Sequence, residues 1–386
     1  MKTFRIFLLF LRLGLTSFGG PVAHIGYFRK EFVEKRHWLG DSAFADLLAL
    51  CQFLPGPSSS QMGISIGLGR GGVPGAVAAW LGFTLPSALA MGWCGVTLAR
   101  HPGLFGGNWS HGLKLLACAV VADAVWSLGR QLAFDRSRQA LMAMGLAMAL
   151  MLPGAQGQLG AMALAALFGQ LLPVRAQPEH NNALPVVLPM WVALPALGLF
   201  LFGLFGLPML ADLQGGQTLG LFDRFFRAGS LVFGGGHVVL PLLRDALVAP
   251  GWIADDKFLS GYALAQTVPG PLFTFAAYVG GVVTGGWTGA ALCTVGIFLP
   301  SFLMLFGVLP FWHRLGRFLP MRRALAGVNA AVVGLLLAAL YDPVFTSSVH
   351  AAPDFIVAVT LFLLLRTGKV PVPLLVVASA LAGFVI

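Results

Sequence analysis

Apolar runs separated by short polar or glycine- and proline-rich breaks fill the sequence. Runs at about 74–99, 111–129, 138–152 and 156–173 predict four membrane-crossing helices, and 186–210 predicts a fifth. Four more follow at about 287–311, 324–341, 353–366 and 371–386. Each comes near the roughly 20 apolar residues that a span requires. Two stretches in each half do not read as simple spans. Residues 41–54 and 57–70 each give only about 21 Å of helix, short of a hydrocarbon core of about 30 Å. Between them lies Pro55-Gly56-Pro57, where two prolines remove donors and restrict their neighbours, so no continuous helix passes. Phe18-Gly19-Gly20-Pro21 likewise separates a helix starting near Thr3 from an amphipathic one reaching Lys35. Both breaks read as re-entrant hairpins that enter and leave on one side. That puts Lys2, Arg5, Arg29, Lys30, Lys35, Arg36 and Arg70 together on the cytoplasmic side, with the N-terminus.

The chain contains itself twice. Residues 10–21 (FLRLGLTSFGGP) return at 225–236 (FFRAGSLVFGGG), an offset of 215 that pairs Arg12 with Arg227. After one gap the offset is 214: WLGDSAF (38–44) returns as WIADDKF, ALCQFLPGP (49–57) as ALAQTVPGP, and GFTLPS (82–87) as GIFLPS. Lys and Arg cluster at opposite ends of the two copies. Arg29 to Arg36 is basic where its counterpart carries Asp245, Asp255 and Asp256, while Arg314 to Arg323 is more basic than residues 100–114. The positive-inside rule then inserts the halves upside down relative to each other, and the fifth crossing supplies the odd number that inversion requires. The expected organisation is a first repeat at 1–173, a polar linker and connecting helix at 174–215, and an inverted repeat at 216–386.

Composition narrows the class. Of 386 residues, 58% are hydrophobic and 10% charged, with a mean hydropathy of +0.85. A soluble domain carries about 25% charged residues, so an ordinary globular enzyme is excluded in favour of an all-α polytopic membrane protein. The 50 Gly and 24 Pro then mark breaks in membrane helices rather than disorder. The net charge of +10 sits in short clusters between apolar runs, which fits cytoplasmic loops and not a nucleic-acid face. Cys51, Cys94, Cys118 and Cys293 are far apart with no metal-ligand spacing, so neither metal nor cofactor is expected. Residues 1–18 are not expected to be a cleaved signal, because Arg12 interrupts the apolar run.

Irregular backbone at membrane depth is tolerated only where protein or an aqueous cavity surrounds it. The helix opening at Pro57 offers free N–H groups and the hydroxyls of Ser58, Ser59 and Ser60 at the positive end of its dipole, an arrangement suited to an anion. The second copy, after Pro269-Gly270-Pro271, offers Leu272, Phe273 and Thr274. Helices following Gly19-Gly20 and Gly234-Gly235-Gly236 add two N-termini, with His24 and His237 nearby, and the four are expected to converge near the midplane. Arg12 and Arg227 lie inside apolar helices, where a charge costs about 2.5 to 3.5 kcal/mol or more. Each therefore calls for an anion or a wet cavity, and the guanidinium fork matches a tetrahedral oxyanion; for Arg12, reaching back to the surface is the plainer alternative. Gln52 and Gln266, three residues before each turn, either bind substrate or satisfy the broken backbone. His24 and His237 are out of register with each other, and each serves either proton coupling or packing.

These motifs resemble the chromate ion transporter family in its long, two-domain form. The matching features are FGGP with the downstream Trp38, Gln-x-x-Pro-Gly-Pro at 52–57, and in the second half FGGG-His with Gln266 to Pro271. Gly236, where the first copy has Pro21, departs from strict repetition. The resemblance implies secondary active export of chromate across a bacterial inner membrane, conferring resistance, with sulfate as an isosteric competitor. A dianion leaving a negative-inside cell gains about 4.6 kcal/mol per 100 mV, so export needs no nucleotide hydrolysis; proton antiport is a further expectation to test. Membrane lipids are the expected surroundings, no nucleic acid is a partner, and a homodimer is allowed.

The alternatives are a transporter of sulfate or another anion, an anion channel, and a membrane scaffold without flux. Gly63-Ile64-Ser65-Ile66-Gly67 matches GxSxG, but it lacks the strand-turn-helix setting, and its repeat counterpart has no serine. Residues 67–72 match GxGxxG but follow a helix rather than a strand. No enzymatic activity is expected.

Overall fold

Helices stop at the breaks the sequence marks. The structure, a computed structural model, describes residues 2–18, 20–101, 103, 108–152, 154–173, 188–233, 238–315 and 318–385. These form helices and turns without a strand. The first half comprises α1 (Lys2–Thr16), α2 (Gly20–Phe28) continuing as a π-helical segment (Arg29–Lys35), α3 (Asp41–Phe53), α4 (Ser58–Arg100), α5 (Asn108–Leu132), α6 (Arg136–Met151) and α7 (Ala155–Phe168). A connecting helix, α8 (Met190–Leu201) and α9 (Leu207–Gln214), leads to the second half. There follow α10 (Gln217–Leu231), α11 (Val239–Leu247), α12 (Asp255–Ala265), α13 (Phe275–Thr284), α14 (Trp287–Val308), α15 (Trp312–Leu315), α16 (Leu319–Ala339), α17 (Ala352–Thr367) and α18 (Val372–Ala382).

Glycine conformation sets the common break in both copies. Within α4, Gly72 adopts φ +62°, a region that disfavours any side chain, and splits residues 58–70 from the long helix that follows. In the second copy Gly285, one residue before the match of Gly72, has φ +70° and closes α13 before α14. Five helices among the described residues are long and apolar enough to cross a membrane: Ser58–Arg100, Trp109–Leu132, Met190–Gln214, Trp287–Phe311 and Leu319–Phe345. Helices also form at four other expected crossings. With 16, 14, 16 and 11 residues, however, α6, α7, α17 and α18 fall short of a full span. The connecting helix is peripheral and turns Trp191, Phe205 and Met209 outward, a face suited to lipid rather than water. The chain is a multi-pass, all-α membrane protein.

The halves are intertwined rather than side by side. Helix α5 packs on α17 and α18, while α16, its repeat counterpart, packs on α6 and α7. Small residues permit this closeness: a Cβ on Gly145 would stand 2.5 Å from the Ala331 carbonyl oxygen, and one on Gly334 would stand 2.7 Å from Leu146 N. The repeat extends to polar contacts. Arg29 pairs with Asp41 at 2.7 Å and its equivalent Arg244 pairs with Asp255 at 2.9 Å, fixing the entry to α3 and to α12 alike. Phe10, Phe28, Phe32 and Phe83 fill the first-half core, with ring centroids 5.0 Å apart for Phe10–Phe32 and 5.1 Å for Phe28–Phe83. Lys2 and Arg5 at the start of α1, Trp38 before α3 and Arg70 before the α4 break line one cleft. From its first residues the chain therefore comes back twice to the same place.

Candidate functional site

Each Pro-Gly-Pro turn is fastened to the opposite half. The Gly56 N–H donates to the Val232 carbonyl at 2.7 Å, and the Gly270 N–H donates to the Ser17 carbonyl at 3.0 Å. Val232 and Ser17 are repeat equivalents, each following its copy's opening helix. The glycines adopt φ +115° and +108°, which only glycine holds readily. A Cβ on Gly56 would collide with Ser301 Oγ of the second half, and one on Gly270 would stand 2.9 Å from Ser87 Oγ of the first. Ser87 and Ser301 close the two Leu-Pro-Ser copies. The contacts are reciprocal: each turn meets the same repeat positions of the other half. Pro55, Gly56, Pro57 and Pro271 are buried, and Pro269 and Gly270 are partly exposed, so the first turn lies within protein and the second is less enclosed.

Buried side chains without partners gather around these turns. Ser17, Ser60, Thr84 and Ser301 each have an inaccessible hydroxyl with no hydrogen bond, whereas the Gln266 side chain meets the Tyr262 hydroxyl. Buried polar groups are nearly always paired, so unpaired donors on segments next to both turns are open to an acceptor. Other hydroxyls nearby are committed. Ser87 donates to the Thr84 carbonyl at 3.1 Å, Thr274 to the Pro271 carbonyl at 2.8 Å, and Ser65 to the Gln61 carbonyl at 2.8 Å. Gln61, fully buried, donates from Nε2 to the Pro55 carbonyl at 2.6 Å and so braces the first turn. The following helix α4 begins at Ser58 with Ser59 and Ser60 buried and no side-chain cap. An interior rich in hydroxyl donors fits a ligand that offers several acceptor oxygens.

Several expected site residues lie elsewhere. Arg12 is exposed, and its charge acts with Arg36 and Lys35 on Glu31. Burial alone would raise the Glu31 carboxyl; the Arg36 hydrogen bond and the three positive charges outweigh it and hold Glu31 below the ordinary range. Arg227 is already occupied by Asp223, which accepts from Nε at 3.0 Å and Nη2 at 2.5 Å and is 1% exposed. Neither arginine hydrogen-bonds to a turn among the described residues. Thr274 donates its hydroxyl hydrogen bond to the Pro271 carbonyl, and Gln52 is exposed where Gln266 is partly buried. His24 is buried, with Nε2 3.2 Å from the Ser17 carbonyl and Nδ1 3.4 Å from Ser59 Oγ. A carbonyl only accepts, so Nε2 carries a proton, while Nδ1 faces the Ser59 hydroxyl. His24 therefore holds the Ser17 carbonyl that also receives Gly270, a positioning role. Gly20 opens α2 with φ +75°. Gly19, Gly234, Gly235, Gly236 and His237 lie outside the described residues.

Ser17, Gln61, Thr84, Ser87 and Ser301 escaped the sequence reading. The Leu-Pro-Ser repetition carried a signal for two of them; Ser17, Gln61 and Thr84 have no polar counterpart in the other copy.

Comparison with known proteins agrees with the repeat and the motifs. Residues 4–170 and again 219–384 match the family described as "Chromate transporter". The chain belongs to the chromate transporter family. A "Chromate transport protein" of Pseudomonas aeruginosa is 32% identical to this family member over 99% of the chain and 92% of the relative. A "Probable chromate transport protein" of Synechococcus elongatus is 28% identical over 97% of the chain and 93% of the relative. A "Chromate transport protein" of Cupriavidus metallidurans is 28% identical over 99% and 92%. No solved structure matches this transporter.

Proposed function

We propose that the chain is a secondary active transporter that exports chromate across a bacterial inner membrane and thereby confers chromate resistance. The carrying observation is the reciprocal seating of the two turns. Gly56 on Val232 and Gly270 on Ser17 fasten each turn to the opposite half, and the segments beside the turns carry the unpaired hydroxyls of Ser17, Ser60, Thr84 and Ser301. Chromate presents four oxygens and a double negative charge to those donors and to the N-terminal end of α4. Rocking of one half against the other would expose the site alternately. On this reading residues 1–173 and 216–386 are inverted repeats joined through 174–215, with the N-terminus cytoplasmic and the FGG and Pro-Gly-Pro breaks re-entrant. The shared cleft of Lys2, Arg5, Trp38 and Arg70 supports that course, because two hairpins return the chain to its starting side. One chain supplies both turns, so a monomer contains the whole site.

The electrical gradient fixes the favourable direction. One charge crossing 100 mV is worth about 2.3 kcal/mol, so a dianion leaving a negative-inside cell gains about twice that. The test is chromate accumulation in everted vesicles under an imposed potential, with sulfate as competitor. The proposal expects saturable, concentrative uptake that sulfate inhibits. Flux that only follows the chromate gradient would indicate a channel, and sulfate uptake without chromate uptake would reassign the cargo.

A further inference from the structure

We infer that the cleft bounded by the start of α1, Trp38 and Arg70 is a second anion site, a vestibule that collects divalent tetrahedral oxyanions. This rests on the reading that the chain carries such an ion. Lys2, Arg5, Ile6, Trp38 and Arg70 line a space of about 260 Å³. It shares Trp38 and Arg70 with a cavity of about 90 Å³ that reaches inward to Ser65 and Ile66. From Arg70 to Ser60 the helix runs ten residues, about 15 Å, so the vestibule opens along the helix whose first turn meets the other half.

The charges of this cleft are unspent. Nearby cations are neutralised: Arg29 by Glu34 at 2.6 Å and Asp41 at 2.7 Å, and Arg36 by Glu31 at 2.6 Å. Lys2, Arg5 and Arg70 have no carboxylate within ion-pair distance among the described residues. The Arg70 guanidinium lies over the Trp38 ring, 4.8 Å from its centroid, which orients the group without cancelling its charge. The repeat supplies an internal control. At the equivalent positions the second half has Gln217, Gly220 and Thr284. Its matching Trp252 is covered by Arg224, whose Nε donates to the Ala246 carbonyl at 2.9 Å and whose helix carries the buried carboxylate of Asp223. The repeat keeps the tryptophan but stacks on it an arginine from another position, Arg224 matching Leu9. It lacks the cluster, so the three cations without a carboxylate stand at one mouth and not at its counterpart. In the orientation proposed above that end faces the cytoplasm, from which an exporter loads.

The test is equilibrium binding of radiolabelled chromate to the full-length protein in lipid nanodiscs, together with flux in vesicles. Arg5→Gln/Arg70→Gln is compared with wild type, with Arg5→Lys/Arg70→Lys, and with Arg29→Gln as a neutralised-cation control. The inference expects about tenfold weaker chromate binding in the Gln pair at low ionic strength, a gap that closes as salt shortens the Debye length. It also expects retention of most affinity in the Lys pair and none of the loss in Arg29→Gln. Equal binding by wild type and the Gln pair, a salt-independent loss, or an equal loss in Arg29→Gln would overturn the vestibule. Wild-type binding without flux would sink the transport reading while leaving the vestibule in place. Flux with unchanged binding in the Gln pair would sink the vestibule alone.

Discussion

At Pro55-Gly56-Pro57 a regular helix starts at once, and its first turn carries three serines. At Pro269-Gly270-Pro271 a 3-10 turn of Leu272, Phe273 and Thr274 intervenes before α13. The backbones agree in φ and in their reciprocal hydrogen bonds. Their hydroxyls do not. Ser60 and Ser301 serve the first turn unpaired, while their equivalents Thr274 and Ser87 donate to carbonyls. Duplication has kept the scaffold in both halves, and of these paired positions only those beside the first turn, Ser60 from one half and Ser301 from the other, hold uncommitted donors. The mouths repeat the lesson, with three unpaired cations at one and Gln217, Gly220 and Thr284 at the other.

Breaking the shared scaffold gives the largest effects. Gly56→Ala combines left-handed backbone, worth about 1–3 kcal/mol, with a collision against Ser301 that adds overpacking of about 1–3 kcal/mol. Thermal unfolding in detergent is expected to fall sharply, with Ser301→Gly restoring part of the loss. Gly270→Ala meets a looser neighbour and is expected to cost less; the reverse order would break the comparison. Next comes the arginine pair. Arg227→Ala strands the buried Asp223 carboxylate and is expected to cost about 3 kcal/mol, whereas Arg12→Ala at the surface changes stability by less than about 0.5 kcal/mol. Leu8 stands where Asp223 does in the repeat, so adding Asp223→Leu should recover stability. Smallest are the matched ion pairs. Asp255→Asn breaks a pair about one quarter exposed, and Asp41→Asn one that is half exposed or more. Each is worth no more than about 1 kcal/mol, with the first the larger, as denaturant titration would report.

The sequence displays the scaffold better than the site. Prolines and glycines announce breaks because their backbone constraints are local, so 55–57, 269–271 and the Gly71-Gly72 break are readable without a fold. The donors are set by which half meets which turn, and that is long-range. Nothing local distinguishes Ser301, unpaired beside Gly56, from Ser87, committed to Thr84. Arg12 and Arg227 share a repeat position but not surroundings: Asp223 pairs with one, while the other is exposed and acts on Glu31 through its charge alone. The short α6, α7, α17 and α18 show that an apolar run measures hydrophobicity and not helix length.

The most direct measurement is the chromate KM for flux in everted vesicles of Ser60→Ala/Ser301→Ala beside that of Ser87→Ala/Thr274→Val, at matched membrane abundance. Hydrogen bonds to a charged ligand are worth about 1.5–3 kcal/mol each. The unpaired-hydroxyl double substitution should therefore raise KM at least about tenfold, while removal of the committed pair changes it far less. Unchanged KM in the first, or an equal rise in both, would contradict an oxyanion held where the first Pro-Gly-Pro turn meets the second half.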